Sequence, residues 1–498
     1  MSNLKILAVT SEAAPFARTG GLGDVLGALP KSLAKAGHDV KVFMPRYEVI
    51  DGQRHQLKPS GQTFSIPGLH GSERADIFQA TMGAVDYYFV SNARYFDRIG
   101  LYQDHLSGKD YFDNDERFIF FSRAVLESVR AMRWTPDIIH LNDWQTAIIP
   151  SLLTHQYQTD GFFSASKTVL TIHNLGYQGI FDAAKYSALK LPKELFYAVT
   201  GAFEFFGKVN FLKAGIMTAD HLTTVSPQYA KEVVSSEEFG FGLEGVLQQR
   251  KHDLTGILNG VNYHDWSPAR DTHINFTYSP ANLTRKRMNK TELLKSMGLP
   301  QRENVPLVGM ISRLAAQKGF DLLGDSAEEL FSRDLQLVVL GVGDKEYHHL
   351  LHALQQKYPD KMRAILAFDN SLAHKIEASA DMLLMPSRYE PCGLNQMYSL
   401  KYGTAPIVRK VGGLSDSVEE FVPTTKSGTG FLFTEYTPLA LLEAVDKALD
   451  VFKQKRVWNC LMKNGMAKDF SWDVSAENYL KVFQKILTEK QPAHYSYD

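Results

Sequence analysis

Two series of short, uninterrupted apolar runs, each run followed by a stretch with helical spacing, constrain this chain more than any other feature of its sequence. Runs such as LVVL at 337–340 and MLLM at 382–385 leave no polar face, as strands covered on both sides by helices require. In the first half the strands are placed at 4–9, 39–44, 137–141, 168–172 and 221–225, with helical segments such as 23–36 and 116–132 between several of them. The second half begins the pattern afresh, with strands at 306–311, 336–340, 364–368, 382–385 and 405–408. This alternation predicts an α/β protein with parallel sheets and helical crossovers. A stretch rich in Gly, Asn, Pro and Trp, TGILNGVNYHDWSPAR at 255–270, reads as the connection between halves. Two Rossmann-like domains are expected, 1–258 and 259–498, facing a deep cleft. The second is counted with the final helical pattern at 476–490, which the pattern alone allows to pack on either domain.

At 498 residues the chain exceeds what one hydrophobic core usually serves. Its 54 Lys and Arg nearly cancel its 55 Asp and Glu. No global field therefore points to nucleic acid or to an anionic membrane, and any anionic ligand must be gripped by local groups. The two cysteines, Cys392 and Cys460, form no CxxC pair. They argue against a structural zinc site or a disulfide framework and fit a reducing compartment. The apolar run at 4–9 meets Ser11 and Glu12 at once, without the basic flank and long core of a signal peptide. Nor is any apolar run long enough to span a bilayer, so a soluble, cytoplasmic protein is expected.

Open α/β sheets bind ligands beyond the carboxyl ends of their strands. The unusual residues fall there repeatedly: SEAAPFARTGGLGDV after the first run, NDWQ with Asp143, HNLGYQG with His173, then SRLAAQKG, GVGD and PSRYEPCGLNQ. Six such ends in two sheets point to one large site. Gly20 and Gly21 open a helix beside Arg18, which suits an anion held by backbone N–H groups and a guanidinium, or else a tight strand-to-helix turn. Arg313 and Lys318 precede a helix starting near Gly319, where cations oppose the helix dipole. A bound diphosphate would explain them; two solvated surface cations is the plainer reading. Glu390 lies in RYEPCGLNQ, either at a ligand or as an electrostatic cap of the following helix. Asp143 and His173 have equally plain readings, a turn aspartate and a satisfied core histidine.

Other patterns are missing or incomplete. There is no GxxxxGK(S/T) loop, and Leu26 stands where a dinucleotide fingerprint starting at Gly21 needs glycine. Ser417 replaces the last glycine of a nucleophile elbow in GLSDS. Asp113-Asn-Asp115 matches the DxD pattern of metal-using glycosyltransferases, but it opens the helix at 116–132, where acids need no metal to explain them.

The ordered set of motifs resembles the bacterial and plastid glycogen and starch synthases, retaining glycosyltransferases of the GT-B fold. The likeness runs through nearly the whole chain: the loop at Arg18, HLNDWQTAIIP, TIHNLGYQG, NFLKAGI, TTVSPQYAKE, GILNGVN, SRLAAQKG, PSRYEPCGLNQ and VGGLSDSV. It implies transfer of glucose from ADP-glucose to the non-reducing end of an α-glucan, without a metal or other cofactor. Arg313 and Lys318 would hold the donor diphosphate, and Glu390 would contact the donor glucose. Asp143 and the His173 region would line the glucose and acceptor side. The loop at Gly20 and Gly21, with Asp24 among its substrate-binding residues, and the N–H groups near Gly393, Leu394 and Asn395 would hold phosphate. Phe368 sits where the family carries an aromatic against the base. Two positions depart from the pattern: Arg18 replaces a usual lysine, and Asn395 stands where threonine is common. Both keep the capacity to bind phosphate. The competing readings are a GT-B transferase using UDP-glucose or another acceptor, and an inactive glucan-binding protein of the same fold.

Overall fold

The computed structural model describes residues 3–68, 71–159, 161–198 and 200–489; Lys490, the end of the expected final helix, lies outside them. The chain forms two compact units. The first comprises the described residues up to Val225, Ala230–Gly260 and those from Trp472 onward; the second comprises Ser226–Tyr229 and Val261–Ser471.

The first unit is built on strands β1 (Lys5–Val9), β2 (Asp39–Pro45), β3 (Lys58–Pro67), β4 (Ser72–Met82), β5 (Val85–Ser91), β6 (Ile138–Asn142) and β7 (Lys167–Ile172). A small antiparallel sheet of β8 (Ile180–Asp182), β9 (Glu204–Phe205) and β10 (Lys208–Asn210) follows, then β11 (His221–Thr224) and β12 (Leu254–Gly256). The main sheet has the order β12-β11-β7-β6-β1-β2-β5-β4-β3. It is parallel from β12 to β5, with Ile6 facing Val40 on one side and Ile138 on the other. The β3–β4–β5 edge is an antiparallel meander that departs from the all-parallel expectation. Its strands alternate buried and solvated positions, so they present no continuous apolar run.

Helix α1 (Gly21–Lys35) buries Leu22, Val25, Leu26, Leu29 and Leu33, the three-four spacing of one helical face. Helix α2 (Asn114–Ala131) lies between β5 and β6 and is buried on nearly all sides. The helix Trp472–Thr488, counted above with the second domain, belongs instead to the first unit. Its stripe of Ala476, Tyr479, Leu480 and Phe483 is buried, and the Tyr479 ring lies 5.3 Å from that of His140 on β6.

The second unit carries β13 (Leu307–Ile311), β14 (Gln336–Leu340), β15 (Met362–Ile365), β16 (Met382–Met385), β17 (Ala405–Arg409) and β18 (Phe431–Phe433). Every pair is parallel, in the order β15-β14-β13-β16-β17-β18, the doubly wound arrangement of a Rossmann sheet. Alternate residues feed cores on opposite faces: Val308, Met310, Leu337 and Val339 in one, Leu307, Val338 and Leu340 in the other. Helices α3 (Thr284–Ser296), α4 (Phe320–Ser332), α5 (Asn370–Ser379), α6 (Asn395–Tyr402), α7 (Pro438–Phe452) and α8 (Lys455–Ala467) surround this sheet or link its strands. Strand β15 stops at Ile365, three residues short of the expected 368. The Asp369 side chain accepts from Leu372 N at 2.9 Å to cap α5, so the chain has left the sheet before Phe368. Among the described residues no helix is long and apolar enough to cross a membrane.

Candidate active site

In the parallel part of each unit's main sheet the strand order reverses at one point, and loops leaving the two strands there diverge to opposite faces, opening a crevice. In the second unit that point lies between β13 and β16. The loop after β13 carries Arg313 and Lys318, and the loop after β16 carries Glu390 and leads into α6.

The two loops are tied together. Arg388 N donates to Gln317 O at 2.8 Å, and Gln317 Nε2 donates to Tyr389 O at 3.1 Å. Lys318 Nζ lies 2.6 Å from Glu390 Oε2, which also accepts from Ser387 Oγ at 3.0 Å. Glycines permit this approach. Gly319, at φ +76°, packs where a β-carbon would collide with the carbonyl of Pro386. Gly412 and Gly413 likewise pass against the backbone of Glu390 and Cys392, which gives VGGLSDSV a packing role. Gly393 turns the chain at φ +70° into α6, whose cap residue Leu394 gives no side-chain hydrogen bond to the helix. The N–H groups at the amino end of α6 are thus uncapped by side chains. Asn395 spends its amide on Ile311 O, at 2.5 Å, bracing α6 against β13.

Arg313 is exposed, with no side-chain hydrogen bond or ion pair among the described residues. Phe368 is 80% exposed on the loop after β15.

The corresponding reversal in the first unit lies between β1 and β6. Beyond β1, Arg18 Nη1 pairs with Asp24 Oδ1 at 2.6 Å. Burial pushes the Asp24 carboxyl up, and Arg18 opposes that shift. Gly23 and Gly27 are needed by the fold, since β-carbons there would press on Arg18 and on Ala14. Gly20 and Gly21 are not: each has open space where a β-carbon would stand, and neither has a positive φ. Their backbone is bare toward solvent at the start of α1, the arrangement an incoming anion needs for close approach.

Beyond β6, Asp143 adopts a left-handed φ of +56°, and its N–H donates to Thr171 O at 3.0 Å. Its Oδ1 accepts from His173 N at 2.7 Å. Burial pushes the Asp143 carboxyl up to about 7, against the pull of N–H donors from His173 and Asn174. Burial also pushes His173 down to about 3, so its imidazole is neutral near pH 7. Asn142 Nδ2 donates to Val9 O at 3.1 Å, which leaves Oδ1 to accept from His173 Nε2 at 2.9 Å. His173 Nδ1 therefore keeps its lone pair.

Sequence reasoning passed over Glu12. This carboxylate, 3% exposed, accepts from Thr19 N at 2.5 Å, Thr19 Oγ1 at 2.7 Å and Tyr102 OH at 2.6 Å. It thereby fixes the residue before Gly20. Its signal was present, an acid just past an apolar run, but nothing local marked Tyr102 as its partner.

Asp113 and Asp115 serve the fold. Asp113 receives two bonds from Arg98, at 2.8 and 2.6 Å, and buried Asp115 pairs with Lys185 at 3.1 Å. Among the described residues no three His, Cys, Asp or Glu side chains gather as metal ligands would.

Comparison with known proteins covers both units. Residues 5–249 match the starch synthase catalytic domain, and residues 295–459 match the glycosyl transferases group 1 family. A glycogen synthase of Koribacter versatilis is 46% identical over 490 residues, 98% of this chain and 99% of that protein. One of Thermotoga maritima is 44% identical over 493 residues, again 98% and 99%. Among solved structures, the catalytic domain of starch synthase IV from Arabidopsis thaliana, bound to ADP and acarbose, superposes with a TM-score of 0.89 at 31% identity, covering 98% of this chain and all of that one. Sucrose-phosphate synthase from Thermosynechococcus elongatus shares the fold, with a TM-score of 0.59 at 18% identity over 97% and 98% of the two chains.

Proposed function

This chain is a glycosyltransferase of the glycogen and starch synthase family with the GT-B fold, and on that premise we infer that it transfers glucose from ADP-glucose to the non-reducing end of an α-1,4-glucan, with retention, releasing ADP. The observation that carries this reading is the pairing of Lys318 with Glu390, one from each loop at the strand-order reversal of the second unit.

As the bond from glucose C1 to the diphosphate breaks, negative charge grows on phosphate oxygens while positive charge spreads over C1 and the ring oxygen. Arg313 and Lys318 meet the first charge, with the uncapped N–H groups of α6 and the bare backbone at Gly20 and Gly21. Glu390 meets the second. It is already held at Lys318 and Ser387, so it needs no reorganisation as the charge develops. Arg18 and Asp24 frame the glycine loop on the donor side. His173, neutral and with a free Nδ1 lone pair, accepts a hydroxyl hydrogen from the sugar, and Asp143 fixes the His173 backbone. Phe368 offers its exposed ring to the adenine. No metal step is needed where these groups share the diphosphate charge. A starch synthase matched over the full chain is known bound to ADP and acarbose, which favours an adenosine donor and a glucan acceptor.

The test is the product. Transfer from ADP-glucose to a maltooligosaccharide, followed by proton NMR, gives new α-anomeric signals at the non-reducing end. A β-anomeric product, or free glucose alone, would overturn the assignment.

A further inference from the structure

Asn142, the last residue of β6, ties together three neighbouring strand ends of the first unit. The residue is fully buried. Its Nδ2 donates to Val9 O, at the end of β1, at 3.1 Å and lies 3.4 Å from His140 O, two residues back on β6. Its Oδ1 accepts from His173 Nε2, just past β7, at 2.9 Å. The strand order of this sheet reverses between β1 and β6. One amide therefore spans that reversal, from the strand that leads into the glycine loop to the strand that leads into His173.

The direction of the amide is set by its neighbours. Carbonyl oxygens only accept, so the NH₂ group faces Val9 O and His140 O, and the oxygen is left for the imidazole. The backbone is held as well, since Asn142 N donates to Thr146 Oγ1 at 2.7 Å. An acceptor placed there does two things to His173. It keeps the hydrogen on Nε2, and it stops the ring from turning over about its Cβ–Cγ bond, which would put a carbon where Nδ1 stands. The titratable groups that face His173 are Asp143, which takes the His173 backbone N–H, and the buried ring of His140, whose field opposes a charge on His173. Asp143 thus holds the main chain, and Asn142 steers the ring.

We propose that Asn142 is a positioning residue for glucosyl transfer, acting through His173 by fixing which ring atom meets the sugar. The proposal rests on the reading of His173 as the acceptor of a sugar hydroxyl hydrogen. With the ring held in one orientation and one tautomer, that hydrogen bond needs no rearrangement during the reaction. The bond to Val9 O also sets His173 in register with β1, whose continuation carries Glu12 and, through Thr19, the glycine loop.

Two readouts on the full chain test this, one independent of activity. With ¹⁵N-labelled histidine, the hydrogen-bonded imidazole N–H of His173 gives a slowly exchanging signal, identified by its loss in His173→Gln. That signal is lost as well in Asn142→Ala and in Asn142→Ser, whose hydroxyl can still serve Val9 O but is too short for the ring. The second readout is transfer to glycogen from whichever of ADP-glucose and UDP-glucose the wild type uses. Asn142→Ala lowers kcat by about tenfold or more with little change in donor KM, within the ~10² that a misplaced group costs. Adding Asn142→Ala to His173→Ala changes the rate by no more than about twofold, because no ring remains to be positioned. An undisturbed His173 N–H signal in Asn142→Ala would overturn the proposal. So would a wild-type kcat in Asn142→Ala beside an impaired His173→Ala, or a double variant that shows both losses multiplied; in each case the reading of His173 stands. Wild-type turnover in His173→Ala would overturn that reading, and the proposal with it.

Discussion

Lys318 Nζ lies 2.6 Å from Glu390 Oε2, joining the loop after β13 to the loop after β16 through side chains 16% and 7% exposed. A pair this sheltered leaves an uncompensated charge when one member is removed. Lys318→Ala and Glu390→Ala are each expected to lower turnover by ~10²–10³, the usual cost of losing one preorganised charge contact. Combining the two restores thermal stability relative to the weaker single variant, because no stranded charge remains, yet turnover stays low. Unfolding midpoints and turnover of the three variants separate the two effects. A well-folded single variant with near wild-type turnover removes that residue from the reaction.

Asp143 makes stability depend on pH in a definite direction. Its folded carboxyl is raised from 3.8 to about 7, so between those values the folded state binds a proton that the unfolded chain has released. Stability contributed by this group is therefore complete below about pH 4 and is lost as pH rises through 7. Asp143→Asn keeps an oxygen for His173 N but cannot ionise. Its unfolding midpoint, relative to wild type, rises between pH 5 and pH 8. A difference that is flat over this range contradicts the placement of Asp143 in a desolvated site.

The sequence made some of this structure legible and hid the rest, for physical reasons. The β13 and β16 strands were readable because strands covered on both faces leave continuous apolar runs, and charged residues just past such runs stand out. The β3–β5 meander was not, because half-solvated strands mix polar and apolar residues. The stripe on Trp472–Thr488 foretold burial, but periodicity says nothing of which unit supplies the partner. Lys318 and Glu390 could be singled out separately, whereas their contact joins positions 72 apart in the sequence. Glu12 was overlooked because its role comes from Tyr102, 90 positions away.

Arg18 is 46% exposed on its side chain and bonded to Asp24, free to turn toward a phosphate. Arg18→Lys is expected to cost no more than about tenfold in kcat/KM, ~1.4 kcal/mol. Arg18→Ala raises the donor KM and lowers turnover, since a phosphate charge goes unmet. Steady-state kinetics decide it: equal efficiency of Arg18→Ala and wild type takes Arg18 out of the donor site.

Transfer is expected to survive EDTA. Asp113 and Asp115 are committed to Arg98 and Lys185, so these acids hold the fold together. Asp113→Asn accordingly lowers the unfolding midpoint without creating or removing a metal requirement. Activity abolished by chelation and restored by Mg²⁺ or Mn²⁺ would instead assign the two acids to a metal.

The most direct test of the account compares donors. Initial rates of radiolabelled glucose incorporation into glycogen are measured with ADP-glucose and with UDP-glucose, over a range of each donor. The account predicts a higher kcat/KM for ADP-glucose, with incorporation abolished by Glu390→Ala. A clear preference for UDP-glucose, or no incorporation from either donor, would contradict it.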